Sequence, residues 1–309
     1  MTFRDAQIAV VFPGQGSQRV GMGRSFYNAW PETNESFDKL AQGTPFDLHT
    51  LCLGEDQQRV RRTEYIQPAV FATSLAAYRG VCTRLDGEPA VVAGHSLGHV
   101  TAVAASGAIA PTDCLDFVCQ RGRLMASVRG DTSAGVMVAV MGADAELVSS
   151  VCDAHAHVDV AAYNSPRETV ISGKRSAIET AQTMITNRSN ARFRRLEVDA
   201  AFHSNQMQPV TAPIRALLDE THLDVSSIPI ISDVSGHVYT QPDRVRAELT
   251  AQITAPIDWQ AVTDRMLERG ITRVVEVPPA GTLSRLIERI TDQIDVIALE
   301  TPEDVAAAI

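Results

Sequence analysis

The segment from Ala90 to Ala110 constrains the fold more than any other part of the chain. Ala90–Ala93 is an unbroken apolar run of strand length, and Gly94–Gly98 is a tight turn with the sequence Gly-His-Ser-Leu-Gly. Val100–Ala110 is small and apolar enough to be a buried helix. A strand that passes through a sharp turn directly into a helix is typical of a parallel sheet covered by helices on both faces. The sequence therefore predicts an α/β fold.

Other apolar runs extend this parallel sheet. Ile8–Phe12 is predicted as a strand that leads into a glycine-rich turn, and residues 27–85 have mainly helical periodicity. Much later in the chain, Ile228–Ser232 and Val274–Val277 are again apolar runs of strand length. We expect these two runs to return to the same large sheet.

Residues 135–198 interrupt the pattern. Their periodicity gives the order β-α-β-β-α-β, which is that of a ferredoxin-like unit. The predicted fold is therefore an α/β-hydrolase-like parallel-sheet domain with an inserted ferredoxin-like small domain. We expect the large catalytic domain over residues 1–129 and 199–309, and the small domain over residues 130–198.

Charge and cysteine content argue against several classes of protein. The 37 acidic and 27 basic residues give a net charge of -10, which opposes general affinity for nucleic acid or anionic lipid. The five cysteines are odd in number and lack metal-site spacing, so reduced thiols are expected. No signal peptide is apparent, and the longest apolar window, 89–111, contains histidines and glycines unsuited to a membrane span. We expect a cytoplasmic protein that binds neither nucleic acid nor membrane.

Ser96 is the central residue of the Gly-x-Ser-x-Gly turn. Between a strand and a helix, such a turn exposes the serine hydroxyl above the sheet. The helix N-terminus and the Leu97 N–H group would then stabilise an oxyanion formed beside the hydroxyl. The five residues alone also fit a purely structural glycine-rich turn, but the predicted strand-to-helix context favours a serine nucleophile.

A serine nucleophile needs a base, and the chain has eight histidines. His203 stands out because it follows the last strand of the predicted insertion, where the chain re-enters the large domain beside the cleft. His155 and His157 have no companions at metal-ligand spacing, so they predict a solvated loop and no metal site. Ser96 and His203 are therefore the predicted catalytic pair.

Five motifs resemble those of malonyl-CoA:acyl carrier protein transacylases and of the acyltransferase domains of polyketide synthases. They occur in the same order and spacing, over nearly the whole chain, at Gly14–Gln18, Gly94–Gly98, Arg121–Met125, Ala201–Ser204 and Pro256–Trp259. The resemblance implies that Ser96 attacks an acyl thioester with His203 as base and that coenzyme A leaves. The phosphopantetheine thiol of an acyl carrier protein would then take the acyl group. No bound cofactor and no metal are implied, and the coenzyme A thioester is a substrate.

The resemblance also implies roles for residues around the catalytic pair. The backbone N–H groups of Gln15 and Leu97 would form the oxyanion hole. The main-chain carbonyl of Gln252 would orient His203, and only the main chain of Gln252 is expected to matter. Asp199 is an alternative orienting acid, although its place is more typical of a turn.

Substrate selection is implied to depend mainly on Arg121. A guanidinium offers two parallel N–H donors to a carboxylate, which would select a dicarboxylic acyl group such as malonyl over acetyl. Without the resemblance, a salt bridge on a helix would be the simpler interpretation of Arg121. Phe202 matches the malonyl-type signature, although one methylene changes binding by only about 1–3 kcal/mol, so this is a preference. His95 and Gln67 complete the predicted substrate-binding residues.

Three positions depart from the family pattern. Ala200 replaces the usual first histidine of the malonyl-type signature, and Glu168 stands where the family often has glutamine. His99 replaces an acidic residue one helical turn after Ser96, where an imidazole would change the local charge and could contact an unusual acyl group. These departures suggest a specialised member. A housekeeping fatty-acid enzyme and a discrete, trans-acting polyketide acyltransferase both remain open.

The predicted partners are an acyl carrier protein and an acyl-CoA, with malonyl-CoA favoured. Carrier proteins are typically acidic, so docking to this acidic chain would need a local basic patch. Arg192, Arg194 and Arg195 form the densest basic cluster, unless they are simply the solvated edge of a strand. Three other functions remain possible: transfer of a non-malonyl group between carrier proteins, editing hydrolysis of acyl thioesters, and inactive carrier binding. Arg121 argues against a hydrolase, and the presence of both nucleophile and base argues against an inactive module.

Overall fold

A computed structural model describes residues 7–54, 62–85, 88–128, 135–198 and 200–308. Within them, eleven strands form two sheets. The strands are β1 (Ile8–Phe12), β2 (Val91–Gly94), β3 (Gly135–Met141), β4 (Val158–Ser165), β5 (Glu168–Lys174), β6 (Arg192–Arg195), β7 (Ile230–Ile231), β8 (Val238–Tyr239), β9 (Ile257–Asp258), β10 (Arg273–Glu276) and β11 (Asp295–Ala298). The α-helices are α1 (Arg24–Ala29), α2 (Pro31–Gln42), α3 (Leu48–Leu53), α4 (Thr63–Arg84), α5 (Leu97–Ala105), α6 (Pro111–Ser127), α7 (Ala145–Asp153), α8 (Arg175–Thr186), α9 (Gln208–Glu220), α10 (Pro242–Ala251), α11 (Trp259–Glu268), α12 (Leu283–Ile290) and α13 (Val305–Ala308).

The larger sheet has the strand order β11-β10-β1-β2-β7-β8. Its first five strands are parallel, and β8 pairs antiparallel with β7. In the central strand, Val10 lies opposite Val92 on one side and Val275 on the other. Alternate residues of β1 pack into different apolar clusters, with Val10 on one face of the sheet and Val11 on the other. A strand buried on both faces requires an unbroken apolar run, which is the pattern in the sequence.

The second sheet has the order β6-β3-β5-β4-β9. Its first four strands pair antiparallel, and α7 and α8 cover one face with a cluster that includes Val138, Val148 and Ile178. The predicted element order β-α-β-β-α-β is confirmed. The fifth strand, β9, comes from outside the predicted insertion and pairs parallel with β4. Residues 129–134 and Asp199, where the predicted domain boundaries fall, lie outside the described residues, so these boundaries stay a prediction.

Two elements are shorter than the sequence predicts. The helix after the serine turn begins at Leu97 and ends at Ala105, because Gly107 adopts a left-handed backbone with φ 81° that stops the helix. The strand predicted over Ile228–Ser232 covers only Ile230–Ile231, and Ser232 already belongs to a turn with His237. In the part of the chain that is described, no helix is long and apolar enough to cross a membrane.

Three parallel strands deliver the segments that matter for function to one edge of the larger sheet. β1, β2 and β7 are neighbours, and their carboxyl ends lead to Gly14–Gln18, to Gly94–Gly98 and to Asp233. In open α/β sheets, ligands bind outside the carboxyl ends of the strands. The fold therefore places the predicted nucleophile where binding sites usually form.

Glu276, at the end of β10, holds the start of α12. Its side chain is fully buried, and its carboxylate accepts hydrogen bonds from four backbone N–H groups and one hydroxyl, which belong to Gly281, Thr282, Leu283 and Ser284. A carboxylate at a helix N-terminus satisfies donors that have no partner within the helix and also matches the helix dipole.

We expect the substitution Glu276→Gln to lower the free energy of unfolding by about 3 kcal/mol, because an amide N–H₂ would face N–H donors in the protein interior. Urea denaturation measures this loss. The matched control is Asp295→Asn, which removes a mostly exposed ion pair of 2.9 Å with Arg273 and should cost less than about 1 kcal/mol. Equal losses in the two variants would contradict the capping role of Glu276.

Candidate active site

Ser96 lies in the turn between β2 and α5 with a backbone conformation that few residues other than glycine adopt. Its φ and ψ are 53° and -103°, and such conformations persist only where neighbouring contacts hold them. One such contact is the Ser96 N–H group, which donates a 2.7 Å hydrogen bond to Oδ2 of Asp233.

The first loop of the chain packs directly against this turn. A Cβ atom on Gly98 would lie 1.8 Å from the carbonyl oxygen of Phe12, and one on Gly14 would lie 2.4 Å from that of His95. Only glycine permits so close an approach of two backbones. The N–H groups of Gln15 and Leu97 donate no hydrogen bond within the described part of the chain. The side-chain amide of Gln15 donates a 3.1 Å hydrogen bond to the Thr63 hydroxyl.

The structure brings the Ser96 hydroxyl and the His203 imidazole together. Oγ of Ser96 lies 2.7 Å from Nε2 of His203, and Nδ1 of His203 lies 2.7 Å from the main-chain carbonyl of Gln252. A carbonyl oxygen can only accept, so Nδ1 carries the proton and Nε2 presents its lone pair to the hydroxyl. This is the tautomer that can accept the serine proton.

The surroundings of His203 keep its imidazole neutral. Burial, reinforced by the positive charge of Arg121, lowers the pKa of His203 from 6.5 to about 3. A neutral imidazole can accept a proton at neutral pH, whereas an imidazolium cannot.

Arg121 of α6 is a buried cation, with 1% of its surface exposed. Its Nη1 group donates to Oε1 of Gln67 at 2.8 Å and its Nη2 group to Oε1 of Gln252 at 3.0 Å. Nη2 also lies 3.5 Å from Oγ of Ser96. Among the described residues, no carboxylate forms an ion pair with this guanidinium. Burial lowers the pKa of Arg121 from 12.5 to about 10, so the group remains charged at neutral pH.

Two further predicted substrate-binding residues are Phe202 and His95. Phe202, which precedes His203 in the sequence, is buried in the large apolar core cluster, as is Ala200. His95 is half-buried, and its Nε2 is 3.1 Å from Oδ1 of Asn164. The Asn164 amide donates in turn to Glu168, so its oxygen faces the imidazole.

Sequence and structure comparisons then show what the chain is related to. The acyl transferase domain family matches residues 9–306. The chain belongs to this family. It is 31% identical to the malonyl CoA-acyl carrier protein transacylase of Bacillus subtilis, covering 98% of this chain and 96% of the relative. It is 34% identical to the polyketide biosynthesis malonyl CoA-acyl carrier protein transacylase BaeC of Bacillus velezensis, over 93% of this chain and 97% of that relative.

Solved structures agree with this assignment. The malonyl-CoA:acyl carrier protein transacylase of Xanthomonas oryzae superposes with a TM-score of 0.94 at 32% identity, over all of this chain and 98% of that one. A malonyl-transacylase solved in complex with a type II polyketide synthase acyl-carrier protein superposes with a TM-score of 0.93 at 27% identity, over 98% of this chain and 99% of that one. The predicted fold class and family are confirmed, and the protein is an acyltransferase.

The structure corrects two expectations about the site of this acyltransferase. His99 is fully buried, bonded through Nε2 to the Tyr239 hydroxyl at 2.8 Å, so the expected contact with an acyl group is wrong. The helical position three residues after Ser96 turns the imidazole into the protein interior. For Gln252, the main chain alone was expected to matter, but its side-chain amide also binds Arg121, Ser96 and Asp233. The alternative acid, Asp199, lies outside the described residues.

Asp233 was not identified from the sequence. Its side chain is 1% exposed and accepts hydrogen bonds from Ser96 and Gln252. The sequence does contain a feature that points to Asp233, because an acidic residue directly after an apolar strand of a parallel sheet lies at the edge where binding sites form. Its hydrogen-bond partners, Ser96 and Gln252, cannot be deduced from the sequence, because Ser96 is distant along the chain and the Gln252 side chain has no local pattern.

The basic cluster predicted as a docking surface lies at the edge of the second sheet. Arg192, Arg194 and Arg195 are exposed on β6, which pairs only with β3 among the described strands. Both interpretations of this cluster, docking surface and solvated strand edge, fit that position. In the described residues, no group of three or more histidine, cysteine or carboxylate side chains is arranged to hold a metal ion.

The lowered pKa of His203 predicts a dependence of stability on pH. The imidazole of the unfolded chain binds a proton below about pH 6.5 and that of the folded protein only below about 3, so acid favours unfolding between these values. We expect His203 to contribute a fall in unfolding free energy of up to about 1.4 kcal/mol for each pH unit in this window. Urea denaturation between pH 7 and pH 5 measures it.

The variant His203→Gln should lose this part of the slope. The exposed His237→Gln serves as the control, because it makes the same change at the surface. Identical slopes in wild type and His203→Gln would show that the folded state binds the proton as readily as the unfolded state.

Proposed function

We propose that this acyltransferase moves a malonyl-type acyl group from coenzyme A to the phosphopantetheine thiol of an acyl carrier protein, in fatty-acid or polyketide biosynthesis. The observation that carries the proposal is the contact of one hydroxyl with two groups. Oγ of Ser96 lies 2.7 Å from a neutral imidazole and 3.5 Å from a buried guanidinium. The relatives named as malonyl transacylases, and the solved complex of one with an acyl-carrier protein, support the acyl group and the partner.

In the first half-reaction, Nε2 of His203 accepts the proton of Ser96 as Oγ attacks the thioester carbonyl carbon. The N–H groups of Gln15 and Leu97, which belong to the two segments that pack against each other, stabilise the oxyanion. The carbon–sulfur bond then breaks, and the imidazolium returns its proton to the thiolate of coenzyme A. An ester on Ser96 and a free thiol result.

The second half-reaction reverses these steps with a different thiol. His203 accepts the proton of the phosphopantetheine thiol, the thiolate attacks the Ser96 ester, and the serine oxygen leaves with the proton. Both half-reactions exchange an ester and a thioester without a change in oxidation state. The proposed reaction therefore needs no redox cofactor. We also propose that the protein is cytoplasmic, as the sequence predicts.

Arg121 supports a malonyl-type group over an acetyl group. The guanidinium is buried and charged, and its partners are neutral amides. It can therefore bind a substrate carboxylate without first losing an ion pair. An editing hydrolase would not need this cation, so the geometry favours transfer over hydrolysis. Nη2 of the guanidinium, 3.5 Å from Oγ of Ser96, is the part of Arg121 that lies beside the nucleophile.

Incubation with malonyl-CoA should add one malonyl group to the intact protein, measured by mass spectrometry. The variant Ser96→Ala should abolish the adduct because it lacks the attacking oxygen, and Ser127→Ala, at an exposed serine at the end of α6, should keep it. Addition of an acyl carrier protein that bears phosphopantetheine should discharge the wild-type adduct onto the carrier. Release as free malonate at the same rate with and without the carrier would favour hydrolysis.

We expect Arg121→Ala to lower the rate of malonyl loading by about 10- to 100-fold, because hydrogen bonds to a charged group contribute about 1.5–3 kcal/mol. Acetyl loading, which needs no cation, should fall much less. Arg123→Ala is the control, since Arg123 lies on the same helix but is exposed over the Phe46 ring. Equal losses for the two acyl groups in Arg121→Ala would make this arginine structural only.

A further inference from the structure

Gln252 connects three parts of the site through one residue. Its main-chain carbonyl accepts from His203. Its side-chain Nε2 group lies 3.0 and 2.9 Å from the two carboxylate oxygens of Asp233, and 3.1 Å from the main-chain oxygen of Ser96. Its Oε1 atom accepts from Nη2 of Arg121 at 3.0 Å. Both ends of the amide are therefore in use inside the protein.

The direction of this amide is decided by Asp233. A carboxylate only accepts hydrogen bonds and a guanidinium only donates them. The amide N–H₂ group must therefore face Asp233, and its oxygen must face Arg121. The reversed amide would set an oxygen against a carboxylate and an N–H₂ group against the guanidinium, and both contacts would be repulsive in a buried site. Without the carboxylate, this preference would weaken.

Asp233 is itself held in place. It is nearly fully buried, and its Oδ2 accepts the Ser96 N–H at 2.7 Å. Nδ1 of His99 lies 3.7 Å from Oδ1 of Asp233, and Nε2 of His99 bonds to the Tyr239 hydroxyl. The negative charge is therefore rigid and lies one amide group away from the guanidinium.

This arrangement gives Arg121 a negative charge nearby that does not bond directly to its guanidinium. A carboxylate bonded directly to the guanidinium would compete with the carboxylate of an acyl group. A carboxylate behind a neutral amide still favours the charged guanidinium, because Asp233 raises the pKa of Arg121 against the larger lowering by burial. It does so without a direct hydrogen bond to the guanidinium. The amide also fixes Nη2 near Ser96.

We infer that Asp233 is a positioning residue for acyl-group selection, which acts through the side-chain amide of Gln252 to hold Arg121 ready for a substrate carboxylate. This inference rests on the proposed function, because it concerns the preference of the same site for malonyl over acetyl. The loss of Asp233 should lower that preference, whereas a residue with only a structural role would lower both rates together.

The experiment measures the rates at which malonyl-CoA and acetyl-CoA load the full-length chain, by mass spectrometry, and their ratio. Asp233→Ala and Gln252→Met should each lower the malonyl-to-acetyl ratio by about tenfold, and the double variant should lower it no further than Gln252→Met alone. Gln252→Met keeps the main-chain carbonyl for His203. Asp233→Asn keeps an oxygen that can accept from Gln252 but removes the negative charge, so its ratio should lie between those of Asp233→Ala and wild type.

Thr263→Val is the matched control. It removes one buried hydroxyl, which donates to the main-chain carbonyl of Trp259 and not to Gln252 or Asp233, and should keep the ratio within about twofold of wild type. A ratio in Asp233→Ala that stays near the wild-type value, even with both rates reduced, would overturn the inference. Should Asp233→Ala not fold, an unchanged ratio in Gln252→Met overturns it equally. A wild-type protein that loads no malonyl group would instead overturn the proposed function.

Discussion

The backbone at Ser96 is the constraint on which the rest of the site depends. Its left-handed conformation points the hydroxyl out of the turn between β2 and α5, and three kinds of contact hold it there. Asp233 binds the N–H group, Gln252 binds the carbonyl oxygen, and the loop after β1 packs against the turn through glycines. Because these contacts come from distant parts of the chain, the conformation is stable only in the assembled sheet.

A buried cation beside a buried base gives the site its electrostatic character. Burial and, after it, the positive charge of Arg121 lower the pKa of His203, so its imidazole stays neutral and able to accept a proton. The same cation has amide partners, Gln67 and Gln252, so it can meet an anionic acyl group. Arg121 therefore lies beside both the base and the place proposed for the acyl carboxylate.

The second sheet contributes to the site from its own side. His95, next to the nucleophile, binds Asn164 at the end of β4, and Asn164 binds Glu168 at the start of β5. Glu168 pairs with Arg289 of α12, which belongs to the large-sheet side of the molecule. Through these polar contacts Glu168 connects the second sheet to α12, since its carboxylate can bind both the Asn164 amide and the Arg289 guanidinium.

The sequence by itself determined the α/β class, the β-α-β-β-α-β order of the second sheet and the prediction of Ser96 and His203 as a pair, because each follows from local features: unbroken apolar runs, a glycine turn and motifs in order. It did not determine strand order, the addition of β9 to the second sheet, or the direction in which His99 points. Asp233 and the Gln252 side chain were missed for the same reason. Ser96 and Asp233 are 137 residues apart, and their contact exists only because two parallel strands pair and end at one edge. Contacts of that kind depend on packing between distant segments, which local sequence patterns do not specify.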